Sequence, residues 1–91
     1  MTYKLYEHDR AIKFFKKNKN NHDLLLRLSQ KYSDICKNPF RSDFSELKSV
    51  KCPKCHRAKV GDYRIIFYVS KEKQIIEIID IFHRSDDYKF Y

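Results

Sequence analysis

Two apolar, β-branched segments in the last third of the chain constrain its fold more than any other feature. The first covers residues 63–69 and the second covers residues 74–82, with the polar residues 70–73 between them. Segments rich in Ile, Val, Tyr and Phe that are bounded by polar turns are typical of paired strands. The sequence therefore predicts a β-hairpin at the centre of a sheet, with Arg64 inside its first strand.

The rest of the chain predicts two successive helices, with one strand before them and one strand after them in the sequence. Residues 2–7 alternate loosely and indicate a first strand, and residues 55–60 indicate a strand that enters the hairpin through Gly61 and Asp62. Between them, apolar residues recur at helical spacing over residues 8–18, with Asp9 as the expected N-cap, and over residues 22–36. Pro39 favours an end to the second helix near Asn38, because the residue before proline avoids the α region.

The helical pair needs a surface on which to bury its apolar side. The second helix carries one apolar stripe, formed by Leu24, Leu25, Leu28, Tyr32 and Ile35. Phe44 and Leu47 are expected to hold the connection after this helix against the core. The predicted fold is therefore α+β, a single domain over residues 1–91. In it a helical hairpin packs on a mainly antiparallel four-stranded sheet, in the order strand, helix, helix, strand, strand, strand.

Charge and composition narrow the classes of partner. Twenty Lys and Arg residues against twelve Asp and Glu residues give a net charge of +8, which favours nucleic acid or an acidic protein segment. No apolar run is long enough to span a membrane, and no signal peptide begins the chain, so a cytoplasmic location without membrane contact is expected. Three cysteines, an odd number, argue against a disulfide framework and for a reducing compartment.

Residues 47–60 form a basic segment without a carboxylate. Arg57 and Lys59 are two residues apart, so they point to one face of a strand, and Arg64 can join them across the turn. Such a group suggests a phosphate-binding surface. The alternative is a charged edge strand that deters aggregation, which accounts for Arg57 and Lys59 but not for Arg64 in a central strand.

Six lysines outside this group are candidates for contact with RNA. Those on the first helix can equally form an ordinary solvated helix face. The six are Lys13, Lys16 and Lys17 on that helix, and Lys48, Lys51 and Lys54 in the basic segment.

Cysteine spacing raises the question of a metal site. Cys52, Cys55 and His56 resemble half of a zinc knuckle, and Cys36 would be the only cysteine left to complete four ligands. The favoured interpretation is that the two cysteines are small apolar residues in a turn. We therefore predict no bound metal and no other cofactor.

Three stretches of the sequence form a recognisable pattern: the basic pair Arg57 and Lys59, the run Gly61-Asp62-Tyr63-Arg64, and the ending His83-Arg84-Ser85-Asp86-Asp87-Tyr88. Together they resemble the RelE/ParE toxin superfamily. The resemblance covers essentially the whole chain. RelE-type members of the superfamily enter the ribosomal A site and cut mRNA, whereas ParE-type members act on DNA gyrase. The resemblance to the RelE branch implies a ribosome-dependent mRNA endonuclease that pairs with an antitoxin, whose acidic or amphipathic segment wraps the toxin.

The same resemblance implies roles for individual residues. Arg57 and Lys59 match the basic pair on the strand before the hairpin, and Arg64 matches the arginine that holds the phosphate. Arg84 matches the residue on the leaving-group side, and Tyr88 matches the tyrosine that activates the attacking 2′-hydroxyl.

Two further residues compete for these roles. His83 is the better general acid by its ordinary pKa of about 6.5, and Tyr91 is a rival to Tyr88. Two other functions stay open at this point: a ParE-like inhibitor of gyrase without nuclease chemistry, and a small RNA-binding module.

Overall fold

The computed structural model describes residues 3–46, 52 and 54–86, and shows two helices packed on one face of a five-stranded sheet. In chain order the elements are β1 (Lys4–Glu7), α1 (Asp9–Lys17), α2 (His22–Lys37), β2 (Ser45–Glu46), β3 (Cys55–Val60), β4 (Tyr63–Ser70), β5 (Ile75–His83) and a 3₁₀ turn (Arg84–Asp86). The predicted α+β class and the order of the predicted elements are confirmed. In this part of the chain, no helix is long and apolar enough to cross a membrane.

The strand order across the sheet is β1-β5-β4-β3-β2, which puts β4 and its Arg64 in the centre. β1 pairs with β5 in parallel, and the other neighbours pair antiparallel. The fifth strand, β2, was not expected. It consists of Ser45 and Glu46 alone, paired with Arg57 and His56, and two residues are too few to produce an alternating pattern in a sequence.

The main core lies between the helices and the sheet. Of the predicted stripe on α2, Leu24, Leu28 and Ile35 are buried, and the other two members are half-buried and pack against the same cluster. Phe44 is also buried, with its ring edge-on to Phe67 at 5.6 Å. The stripe is therefore confirmed as the surface that holds α2 on the sheet, whereas Leu47 lies outside the described residues.

The N-terminus of α1 differs from the expectation. His8, not Asp9, is the N-cap residue, and its side chain makes no capping hydrogen bond. Asp9 is instead the first helical residue, where a negative charge interacts favourably with the helix dipole. α2 begins with a conventional cap, since the Asn21 side chain accepts a hydrogen bond from the Leu24 amide at 3.3 Å.

A second, smaller cluster covers the face of the sheet away from the helices. Cys55, Ile66 and Phe82 are buried there, one each from β3, β4 and β5. Cys52 and Tyr68 pack around them as partly buried neighbours. The face away from the helices is therefore apolar near Cys55, at the start of β3. The basic residues described next lie farther along the same face.

Candidate functional site

The hairpin of β3 and β4 brings three cations to one face of the sheet. Lys59 is the direct cross-strand partner of Arg64, so the two side chains lie on the same face. Arg57, two residues before Lys59, shares that face and lies opposite Ile66 of the smaller cluster. Between them Ala58 is buried in the helix-side core, which sets this face away from the helices. We call Arg57, Lys59 and Arg64 the basic face.

The turn between β3 and β4 holds two arginines in place. Gly61 begins the turn with a φ of 58°, a conformation that glycine adopts without steric cost. Arg64 Nη1 donates to the Gly61 carbonyl oxygen at 3.0 Å. From the end of β5, the Arg84 backbone N–H donates to the Asp62 carbonyl at 2.7 Å, and Arg84 Nε lies 3.6 Å from Asp62 Oδ1. Arg64 and Arg84, which are far apart in the sequence, thus meet at one turn.

Asp62 joins the candidate site, although the sequence analysis placed it only in a turn. Its carboxylate contacts Arg84, whose side chain remains 64% exposed. A signal for it was present, because Asp62 is the only carboxylate between Glu46 and Glu72. An isolated acid in a basic stretch has cations as its available partners.

His83 lies on the opposite face from Arg64. Its cross-strand partner is Tyr63, and the two rings meet edge-on at 5.2 Å, while the partner of Arg64 is the buried Phe82. The Ser85 backbone N–H donates to His83 Nδ1 at 3.2 Å, and the Ser85 hydroxyl lies 2.9 Å from the same nitrogen. The structure therefore brings Arg84 to the Gly61-Asp62 turn, next to Arg64 in the chain's β3–β4 hairpin, and leaves His83 on the helix side of the sheet.

Two of the three lysines predicted on α1 line a cleft of about 450 Å³ that also contains His83. Lys13 and Lys17 lie along its wall, and Phe14 contacts Tyr63 edge-on at 5.7 Å within it. Lys16 is exposed on the same helix and is not part of the cleft. α1 therefore presents a second basic surface, on the other side of the sheet from the basic face.

An ion pair between the exposed Arg10 side chain and the buried Asp80 carboxylate lies in the wall of this cleft. Asp80 is only 6% exposed, and its carboxylate accepts a hydrogen bond from Arg10 Nη1 at 3.2 Å. A buried carboxylate needs such a partner, since an unpaired buried charge is costly.

Of the remaining predicted RNA-binding residues, the structure describes Lys54, which joins neither surface. Lys54 is exposed just before β3, at the end of that strand away from the Gly61 turn. Lys48, Lys51, Tyr88 and Tyr91 lie outside the described residues.

The interpretation of Cys52 and Cys55 as two separate apolar residues in a turn is wrong. Cys52 and Cys55 are joined by a disulfide, with their Cα atoms 5.4 Å apart, in a turn where the Cys55 amide donates to the Cys52 carbonyl at 3.2 Å. The argument from an odd cysteine count concerned a framework of several bridges, and it did not address one local pair. Because this loop is so short, the bridge contributes only about 2 kcal/mol by chain entropy.

The four residues considered for zinc do not converge on one point. Cys55 points into the cluster away from the helices, whereas the next residue, His56, stacks on Phe67 at 5.5 Å on the helix side. Cys36 is a free thiol that packs against the helix-side core, and burial raises its pKa. Burial also lowers the pKa of His56, an effect that nearby Glu46 opposes. Among the described residues, no group of three or more His, Cys, Asp or Glu side chains is arranged to hold a metal.

The sequence of residues 4–88 matches the family model described as the ParE toxin of the type II toxin–antitoxin system, parDE. The chain belongs to this toxin family. None of the curated proteins is similar enough in sequence to count as a relative. Membership makes the chain the toxin of a type II toxin–antitoxin system within the RelE/ParE superfamily, as the sequence motifs indicated.

Solved structures with the same fold are RelE toxins. This ParE-family chain is 25% identical to a chain of the archaeal RelE–RelB complex from Pyrococcus horikoshii OT3, covering 92% of this chain and 97% of that one, with a TM-score of 0.73. It is 18% identical to a chain of the RelBE2 toxin–antitoxin complex from Mycobacterium tuberculosis, covering 92% and 100%, with a TM-score of 0.73.

A RelE mutant from E. coli in the free state gives 22% identity, coverage of 98% of this chain and 93% of that one, and the same TM-score of 0.73. The latter two similarities concern the fold. Together the comparisons give a ParE-family sequence and a RelE-like architecture.

Proposed function

We propose that this ParE-family toxin is a metal-independent endoribonuclease that cuts mRNA on the ribosome and so inhibits translation. The observation that supports the proposal is the direct pairing of Lys59 with Arg64 in the interior of the sheet, with Arg57 beside them. Like charges directly opposite one another in a ladder are destabilising. An anion that sits among them offsets that cost, and the scissile phosphate of RNA is such an anion.

RNA cleavage by its own 2′-hydroxyl has three requirements. The hydroxyl must lose a proton, the dianionic phosphorane must be stabilised, and the 5′-oxygen of the leaving group must gain a proton. The basic face meets the second requirement, because fixed cationic donors aimed at developing charge are worth about 3 kcal/mol each in a site that excludes water.

Arg84 and Tyr88 take the two proton-transfer roles in this proposal. Arg84 is held at the same turn as Arg64 through Asp62, whereas His83 occupies the other face, so Arg84 is the preferred group on the leaving-group side. Tyr88 is the preferred base. An unperturbed tyrosine has a pKa of about 10, and neighbouring cations lower it.

The partners follow from the charge and from the family. Solved structures of similar fold include an archaeal RelE–RelB complex and the E. coli RelBE toxin–antitoxin complex, and the net charge of +8 suits an acidic or amphipathic antitoxin segment. We propose a cognate antitoxin as one partner and the ribosome with mRNA in its A site as the other. With these two partners, we propose that the toxin acts in the cytoplasm.

The test is single-turnover cleavage of mRNA on programmed ribosomes. Arg64→Ala should slow cleavage by on the order of 10²-fold, because it removes a donor to the transition state. Tyr88→Phe should spare ribosome binding but slow cleavage, and Lys73→Ala, in the exposed turn after β4, is the matched control with the wild-type rate. If Tyr88→Phe keeps the full rate while Arg64→Ala does not, the base is misassigned and Tyr91 is the next residue to change.

Inhibition of DNA gyrase is the second candidate, and the match to the ParE family model favours it. A gyrase inhibitor does not require a phosphate-binding group, so the basic face argues for the nuclease. A supercoiling assay separates the two functions. Wild-type toxin that cuts no mRNA on ribosomes and inhibits supercoiling would replace the nuclease proposal with the gyrase one.

A further inference from the structure

The cysteine pair at the start of β3 has no part in phosphate cleavage. A disulfide joins Cys52 and Cys55 across a turn. Their Cα atoms are 5.4 Å apart, within the range that a disulfide requires. The bond can therefore form or open without a large movement of the backbone. It also closes a very short loop, and the stabilisation by loop closure is smallest for short loops. The stabilisation from this bridge is therefore at the small end of the range for disulfides and acts on the start of β3.

The two sulfur atoms differ in their access to solvent. Cys55 is 0% exposed, whereas Cys52 is only partly buried. The thiolate is the nucleophile in thiol–disulfide exchange, and it must be reached by the small disulfide, so access to solvent decides which cysteine reacts first. Cys52 is therefore placed to react first and Cys55 to complete the bond.

The pair is also in contact with the strand that carries the basic face. Cys55 packs with Ile66 in the cluster away from the helices, and Ile66 is the cross-strand partner of Arg57. Cys36 belongs to the cluster on the helix side of the sheet. It is thus separated by the sheet from the pair, which fixes Cys52 as the partner of Cys55.

We propose that Cys52 and Cys55 form a redox-active dithiol site, oxidised by low-molecular-weight disulfides of the glutathione class, that controls the order of β3. The Cys52 thiolate attacks one sulfur of the small disulfide, giving a mixed disulfide and one released thiolate. Cys55 then attacks the Cys52 sulfur, forming the internal bond and releasing a second thiolate. The two cysteines lose two electrons and two protons, and the small disulfide takes both up as it becomes two thiols.

The chemical step is tested on the full-length chain, reduced and then treated with oxidised glutathione. Intact mass should fall by two hydrogens without a stable glutathione adduct, and a thiol-alkylating reagent should then label Cys36 alone. Cys55→Ser should retain glutathione on Cys52, and Cys52→Ser should remain unmodified at the buried Cys55. Cys36→Ser is the control that still forms the internal bond. A stable adduct on wild-type protein, or equal labelling of all three cysteines, would overturn the site.

The effect on β3 is tested by amide hydrogen exchange, which does not depend on nuclease activity. Reduction should speed exchange by about tenfold at the amides of residues 55–60, since it releases the first residue of the strand. The amides of β5 serve as the internal reference and should not change. Protein that cycles between dithiol and disulfide with identical exchange in β3 would overturn the proposed control. Failure of mRNA cleavage would leave both of these measurements unaffected.

Discussion

Lys59 lies directly opposite Arg64 across the β3–β4 ladder, one pair before the Gly61-Asp62 turn. Because these two positive charges repel each other, we expect the pair to lower the stability of the protein while it supports mRNA cleavage. Lys59→Thr should raise the free energy of unfolding by about 0.2–1 kcal/mol, because a like-charge pair is removed and threonine suits a strand. The same change should slow mRNA cleavage.

Urea denaturation at low and high salt measures the first effect, and the gain should shrink with salt as the repulsion is screened. Lys73→Thr, in the exposed turn between β4 and β5, is the control and should change neither property. A Lys59→Thr protein less stable than wild type at low salt would show that repulsion is not the dominant interaction of this pair.

Leu28 should account for much of the attachment of α2 to the sheet. It is 0% exposed in the main core, so Leu28→Ala should lower the free energy of unfolding by about 2–5 kcal/mol. Leu26 is on the same helix and 59% exposed, and Leu26→Ala should therefore have little effect. Denaturant melts in which the two variants lose similar stability would remove Leu28 from its place in the core.

His83 and Arg84 are adjacent in the chain but should differ sharply in their effect on cleavage. Arg84→Ala should slow single-turnover cleavage by on the order of 10²-fold, and Arg84→Lys should restore part of the rate through its charge. His83→Gln should leave the rate unchanged, because the His83 ring packs on Tyr63 on the other face. The reverse ranking on programmed ribosomes would assign the acid role to His83.

His56 should make the protein less stable in mild acid. Burial holds its pKa below the ordinary value, so between the two pKa values the unfolded chain binds the proton more readily than the folded one. This contribution to stability is complete above the unfolded pKa of about 6.5 and is lost as the pH falls below it.

His56→Phe keeps a ring on Phe67 and removes the titration, so its urea midpoint should fall less than that of wild type between pH 7.5 and pH 5. Equal falls in the two proteins would contradict the assignment. Phe67 must remain stacked in the variant for the comparison to hold, which near-ultraviolet circular dichroism can check.

The local sequence determined most of the fold. The β-branched segments of β4 and β5, the apolar stripe through Leu28 on α2 and the polar turns are properties of neighbouring residues. They predicted the element order and the helix-covered face. Among the described strands, β2 was missed, because pairing of Ser45 and Glu46 with β3 depends on where the chain returns and not on any local preference. The disulfide was missed for a related reason, since cysteine counts do not show which thiols a turn brings together.

For the candidate site, too, the local sequence predicted some positions and the tertiary structure determined the others. Spacing alone placed Arg57 and Lys59 on one face, because side chains alternate along a strand. The register across the turn placed Arg64 opposite Lys59. Only the tertiary structure separated the positions of His83 and Arg84: the pairing of His83 with Tyr63 turns the histidine towards the helices, and the hydrogen bond from the Arg84 backbone N–H to the Asp62 carbonyl returns the arginine to the turn. Sequence sets what each residue can do chemically, and strand register sets which of them meet.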